Sequence, residues 1–388
     1  MNLEKLRHTR IYNFDQAYHQ FNEPFLQLAK ALHRGDPLAD AAIGSLEEFP
    51  MGLQMQIIDE ALQGEYSRAP DELVGLIQWA QKEPDWVDWS RIERGAAFLM
   101  RTGILGGITL GAKSLIEGYC APAGNKPLVF SGRLQNYTAM RLNETARFVE
   151  AVGSKNGMKI GGPGYTLTLK VRLLHARVRW MIENSDNWRR DLWASPINQH
   201  DMVSTIHLFS TSFLEGVEFL GMEVSELDRE DFMHLWRYVG YLIGVEDHLL
   251  PRAHKEAQQQ WEMISLTQGP PDEDSRELTL ALLEGPERAA QTEREKKLSE
   301  KHSEWAKGIS RALLGDELAD QLGLPRNSWI YAAPVIQKAV KALNHARKAP
   351  FVDPWLEEKG RNYWAATIAM AAQGNALRFS FPKKLVNE

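Results

Sequence analysis

The sequence has a single cysteine, Cys120. An internal disulfide is therefore excluded, as is any zinc or iron–sulfur cluster built on thiolates of this chain alone, and a reducing compartment fits. The chain also lacks an excess of positive charge: Lys and Arg number 45 against 51 Asp and Glu, for a formal net charge of −6. That balance gives no general attraction to nucleic acid or to an anionic membrane, so nucleic-acid binding is not expected and any basic cluster acts locally. Unbroken apolar runs of about 20 residues are missing as well. The least polar stretch, Gly95 to Ala112, is interrupted by Arg101 and several glycines, so it is expected to form a buried helix pair without membrane insertion. Met1 to Asp15 carries charge throughout and has no apolar signal core, which leads to the expectation of a cytoplasmic protein.

Several catalytic signatures are absent too. No Gly-x-Ser-x-Gly elbow offers a hydrolase nucleophile, and no His-Glu-x-x-His offers a zinc site. The glycine clusters at Gly103–Gly111 and Gly161–Gly164 are not followed by Gly-Lys-Ser/Thr, so they read as close helix packing and a sharp turn. A ferritin-like di-iron site needs Glu-x-x-His pairs, and only Asp231 with His234 comes near that pattern. Cys120, within Gly118-Tyr119-Cys120-Ala121-Pro122, has nothing beside it that would lower a thiol pKa and reads as inert.

What the chain does contain is length for a real core and helical periodicity nearly throughout, with 388 residues at 44% hydrophobic content. The expected fold is mainly α: a single large helical domain over 71–388, preceded by an N-terminal helical extension over 1–70. Predicted helices include 88–101, 104–119, 132–152, 165–184, 199–221 and 228–245, with Asp88 and Ser225 as N-terminal caps and Pro196 ahead of the helix from Gln199. Pro127-Leu128-Val129-Phe130 is the one modest strand candidate, and the charged stretch from Gln268 to Lys301 reads as a surface excursion. Trp86, Trp89 and Trp180 either pack or wall a flat ligand.

The most informative run is Lys170-Val171-Arg172-Leu173-Leu174-His175-Ala176-Arg177-Val178-Arg179. Arg172, His175 and Arg179 recur at i, i+3 and i+7, beside an apolar stripe of Val171, Leu174 and Val178. Buried guanidiniums require anionic partners, and the neighbouring sequence supplies no carboxylate. A haem would answer both oddities, with an axial position for His175 and two propionates for Arg172 and Arg179. The plain alternative is a core histidine bonded to backbone or water. A second constellation, Arg141, Glu144 and Thr145 at i, i+3 and i+4, could shape a cofactor site or move a proton, against the alternative of an ordinary surface ion pair. His207 lies on an apolar face with Val203, Ile206, Ser210, Phe213, Leu214 and Val217, which would suit either a pocket wall or the core. A facial triad drawn from His175, His207 or His234 with Glu215 or Glu218 stays open.

Taken in order, these pieces form a longer pattern. Trp89 to Arg101 with Arg94-Gly95 is followed by Ser131-Gly132-Arg133-Leu134 and Arg141-x-x-Glu144-Thr145. Then come Val171-Arg172-x-x-His175-Ala176-x-x-Arg179, Pro196-Ile197-Asn198-Gln199-x-Asp201-Met202, and Trp236-Arg237-x-x-Gly240 to Leu249-Leu250-Pro251. The series, over roughly 85–255, resembles the rubber-oxygenase catalytic domain, a family that includes the latex clearing proteins and a fungal oxygenase of mycophenolic acid biosynthesis. The resemblance implies a mainly α fold binding haem b, with iron held by His175 and with Arg141 and Thr145 near the haem. It also implies dioxygen-dependent cleavage of carbon–carbon double bonds in isoprenoid chains, without an external reductant. Where latex clearing proteins carry a distal lysine ligand, this chain has Glu144, so a lysine-closed resting state is not implied. Glu144, if protonated, could donate a hydrogen bond to bound oxygen; if ionised, it could remove an allylic proton.

The expectation is thus a haem b-dependent oxygenase acting with dioxygen on a small hydrophobic, unsaturated substrate. Arg141, Glu144 and Thr145 would do the chemistry, while His175, Arg172, Arg179 and Arg141 would hold the cofactor. A haem sensor or carrier without turnover and a non-haem iron enzyme are the alternatives, and a homo-oligomer stays open.

Overall fold

The chain folds into helices joined by short loops in a computed structural model that describes residues 3–130, 138–347, 349–372 and 381–382; no strand occurs among them. Four helices lead: α1 (Phe14–Phe21), α2 (Glu23–Ala31), α3 (Pro37–Leu46) and α4 (Met51–Leu62). The body continues with α5 (Asp71–Gln81), α6 (Trp89–Thr109), α7 (Leu115–Tyr119), α8 (Lys126–Phe130), α9 (Thr138–Gly153) and α10 (Pro163–Glu183). After these come α11 (Arg190–Trp193), α12 (Gln199–Phe209), α13 (Thr211–Phe219), α14 (Glu226–Leu242) and α15 (His254–Thr267). The last group is α16 (Glu273–Leu283), α17 (Gly285–Ala289), α18 (Glu293–Leu314), α19 (Asp316–Gln321), α20 (Ala332–Ala346) and α21 (Val352–Ala372).

Local chemistry sets several of these boundaries. The Asp88 carboxylate accepts from the Ser90 and Arg91 N–H groups at the start of α6, Asn198 accepts from Asp201 at the start of α12, and Ser225 accepts from Asp228 at the start of α14. Pro163, at the first position of α10, carries no N–H to leave unsatisfied.

The core is centred on α6, which packs along α14 on one side and α21 on the other. Phe98, Phe213, Phe232 and Trp236 are buried there edge to face or tilted. The two helices expected over 88–119 meet at Gly103, whose φ of 47° and ψ of −123° break the helical path between them, and the second passes through a single π-helical turn, Leu110–Ser114, into α7. By length and composition alone Trp89–Tyr119 could cross a membrane, but in this fold most of its apolar window is buried.

Three expectations are corrected. Residues 127–130 are helical, because Asn125 bonds both ends of the preceding turn and starts α8. The helix expected over 199–221 breaks at Ser210 (φ −115°, ψ −81°), whose hydroxyl turns back onto the Ile206 carbonyl. The segment after Gln268 is not wholly a surface excursion: Leu278, Leu282 and Leu283 of α16 are buried against Ile116, Tyr119 and Cys120. The N-terminal helices, finally, share a core with α10, where Ala39, Ala42, Ile43 and Leu46 of α3 meet Leu173 and Ala176.

Candidate active site: a cavity beside His175

Two faces of α10 do different things. Leu167, Val171, Leu174, His175 and Val178 line a cavity of about 370 Å³, within the range of small-molecule and cofactor pockets. The opposite wall comes from Glu144, Thr145, Arg147 and Phe148 of α9, and from Met202, Thr205, Ile206 and Phe209 of α12. Leu115, Tyr119, Pro127 and Leu128 close one end. The lining is largely apolar, interrupted by a handful of polar groups, among which the imidazole of His175 stands out.

His175 Nδ1 is buried with no hydrogen-bond partner, and its other ring nitrogen makes no hydrogen bond among the described residues. Burial, followed by the nearby Arg179 charge, pulls its pKa down to about 4, so the ring is neutral at pH 7 and keeps an available lone pair. A buried polar atom without a partner costs about 1–3 kcal/mol unless something binds it. The other interior histidines are satisfied. His207 bonds Thr211 Oγ1 at 2.9 Å and Gln260 Oε1 at 2.7 Å, and His234 Nε2 accepts from the Asp88 N–H at 3.0 Å. His207 is thus a core residue, since the cavity-lining positions of α12 are 201, 202, 205, 206, 208 and 209, and neither Val203 nor His207 is among them.

The other predicted residues divide. Glu144 and Thr145 are on the cavity wall, as the shared-face reading of α9 requires. The side chain of Arg141 lies outside the described residues. Arg172 and Arg179, expected to face two propionates, are corrected by the geometry, since neither lines the cavity. Arg172 is bonded to both oxygens of Asp36 at 2.6 and 2.9 Å and stacks over Trp79, with both charged side chains only 3% exposed. Arg179 pairs with Asp40 at 2.7 Å and donates to the Ile197 carbonyl at 3.1 Å. Arg177 in turn pairs with Glu47. At 100° per residue the two arginines sit about 40–60° around α10 from His175, which is enough to turn them from the cavity toward α3.

These ion pairs still shape the site. Gly244 (φ +98°) lies against the Arg172–Asp36 pair so closely that a Cβ there would fall 2.3 Å from Asp36 Oδ2. Ile197 lines the cavity with φ at 45°, a conformation rarely tolerated by a β-branched residue. The Arg179 hydrogen bond to its carbonyl and the Asn198 cap that follows hold it in place. Two site residues were missed by the sequence reading. Ile197 had no local signal, whereas Arg147, the cation on the cavity wall among the described residues, follows Glu144 by three positions and could have been found from helical spacing.

Other metal chemistry finds no cluster: among the described residues no three His, Cys, Asp or Glu side chains converge as ligands. Burial and the neighbouring Glu117 push the Cys120 thiol pKa up to about 12, and its sulfur sits against the Ile116 carbonyl, as befits an inert residue.

Residues 96–344 match the family described as ER-bound oxygenase mpaB/B'/Rubber oxygenase, catalytic domain. The match reaches well beyond the 85–255 core expected from motifs and takes in α15 to α19 and most of α20. Rubber oxygenase of Streptomyces sp. (strain K30) is 25% identical over 295 residues, covering 73% of this chain and 65% of that protein. The solved structure of latex clearing protein LCP in the closed state superposes with a TM-score of 0.68 at 22% identity, covering 91% of this chain and 95% of that one, and establishes the shared fold. A helical body built around the α9–α10–α12 cavity, together with a family match over more than half of its length, means that this chain belongs to the rubber-oxygenase catalytic-domain family.

Proposed function

We propose that this protein is a haem b-dependent oxygenase that uses dioxygen on an unsaturated, hydrophobic small molecule and cleaves a carbon–carbon double bond. The single observation that carries the reading is the unpartnered, neutral imidazole of His175 on the wall of an apolar cavity. A neutral imidazole without a hydrogen-bond partner on the wall of an apolar cavity is suited to an iron ligand, and the residues present fit the group: His175 would hold iron, and Arg147 is the cation among the described lining residues. Haem, when bound, supplies the iron centre that activates dioxygen. Cleavage places one oxygen atom in each of two carbonyl products, so no external reductant is consumed.

The chain's own residues do the rest. Leu167, Val171, Phe148, Met202, Ile206 and Phe209 exclude water and receive an apolar chain. Glu144 and Thr145 add the polar groups of α9, with Glu144 able to hold or move a proton at its carboxyl oxygens. Freshly purified protein is expected to show a Soret band with stoichiometric iron and to lose both in His175→Ala; a colourless, iron-free preparation after haem supplementation would sink the reading. Glu144→Gln is expected to slow oxygen consumption with a polyene by about 10²–10⁴-fold at unchanged haem content. An unchanged rate would remove Glu144 from the chemistry, and oxygen uptake by the unmodified protein separates an enzyme from a carrier.

A further inference from the structure

The His175 cavity has a neighbour. A second chamber of about 530 Å³ lies between α7, α12, α15 and α19, and Gly118, Gly124, Asp201, Thr205 and Leu208 line both spaces. The partition between them is thin. Leu208 packs on the bare backbone of Gly118, where a Cβ would fall 2.6 Å from Leu208 Cδ1.

The two chambers differ in chemistry. The inner one is walled by leucine, valine, phenylalanine and methionine. The outer one presents Glu117, Ser204, Gln268, Glu317 and Gln321, and its mouth is rimmed by the exposed Tyr12 and Glu317. Among the described residues, no lysine, arginine or histidine lines it. Cations bond its lining groups: Lys113 is bonded to Glu117 at 2.7 Å, Arg10 to Asp201 at 2.5 and 3.1 Å, and Arg276 donates to the Gln321 carbonyl at 2.8 Å. An anionic head group would therefore meet carboxylates without a facing cation, whereas a hydroxyl would find both donors and acceptors.

We infer that the two chambers form one bipartite site for an amphiphile, with its unsaturated chain in the His175 cavity and an uncharged, hydroxylated head in the outer chamber. The division at Gly118 and Leu208 sets how far the chain enters. This deepens the oxygenase reading by naming the substrate class, and it rests on the inner cavity being the reacting end.

Isothermal titration of the protein as purified with farnesol and with farnesoic acid at pH 7.5 tests it. Farnesol is expected to bind at least tenfold tighter than the acid. Glu317→Lys, an exposed change that leaves the core untouched, is expected to bring the two affinities within about threefold by giving the carboxylate a partner. Gly118→Ala is expected to weaken farnesol at least tenfold, and Leu208→Ala in the same chain to restore it, with the urea midpoint unchanged in both so that the effect is on binding and not on relief of packing strain. Equal binding of alcohol and acid by the unmodified protein, a ratio unmoved by Glu317→Lys, or no rescue by Leu208→Ala would overturn the proposal. The Soret measurement is independent: farnesol binding without a haem spectrum would sink the oxygenase reading alone, and a haem spectrum with no alcohol preference would sink this inference alone.

Discussion

The face of α10 toward α3 and the face toward the cavity are a few ångströms apart and follow opposite rules. On the α3 side every guanidinium has a carboxylate: Arg172 with Asp36, Arg177 with Glu47, Arg179 with Asp40. On the cavity side a histidine has nothing. Polar groups inside a protein are normally satisfied, so the paired face is scaffolding, and an unpartnered imidazole on a cavity wall is the group best placed there to meet the ligand proposed above.

The largest expected break of this contrast is between two histidines. His175→Ala should abolish bound pigment while leaving the urea stability of the haem-free protein nearly unchanged, because no internal bond is lost. His207→Gln should keep the pigment; pigment lost in His207→Gln and retained in His175→Ala would invert the assignment. Next comes Asp36→Ala, which strands Arg172 in the interior and should cost about 3–5 kcal/mol in urea unfolding. A loss below about 1 kcal/mol would show that the pair is open to solvent.

Acid sharpens the comparison further. Burial holds the His207 pKa down at about 4 against an ordinary 6.5, with the Gln260 bond opposing only in part. The folded state therefore binds fewer protons than the unfolded chain between these values. Stability present above pH 6.5 falls as pH drops toward 4, by about 3 kcal/mol at most for this ring. Unfolding measured at pH 7.0 and 4.5 should show a smaller acid loss in His207→Gln than in the unmodified chain; identical losses would count against the depressed pKa. The smallest effect belongs to the exposed end of α10, where Glu183 meets Arg190 at 2.7 Å. Glu183→Ala should cost under about 1 kcal/mol, being screened by water. A cost comparable with Asp36→Ala would erase the distinction between the buried and exposed pairs.

How much of this was legible along the chain differs between fold and site. The period of apolar residues gave the helices, and Asp88, Ser225 and Pro196 marked real starts. The break at Ser210 was not visible, since a side-chain hydroxyl bonding the preceding turn leaves the apolar spacing intact. Among site residues, Glu144, Thr145 and His175 were found by helical spacing and resemblance, and the structure brings all three to one cavity. The arginines were singled out for a sound reason, that buried charges need anions, and given the wrong anions. Asp36 and Asp40 lie far back in the chain, where a local search for carboxylates does not reach. Ile197 was quoted only as part of a motif, because backbone strain leaves no trace in residue type.

The sequence by itself determined a helical protein of this family, with one imidazole set among cations in a segment too apolar to lie at the surface. Tertiary contacts settle which of those polar groups pair with one another and which stays unpartnered on a cavity wall. Hydrophobic period is a property of neighbouring residues, whereas charge satisfaction depends on whatever the fold brings alongside, here α3 against one face of α10 and empty space against the other.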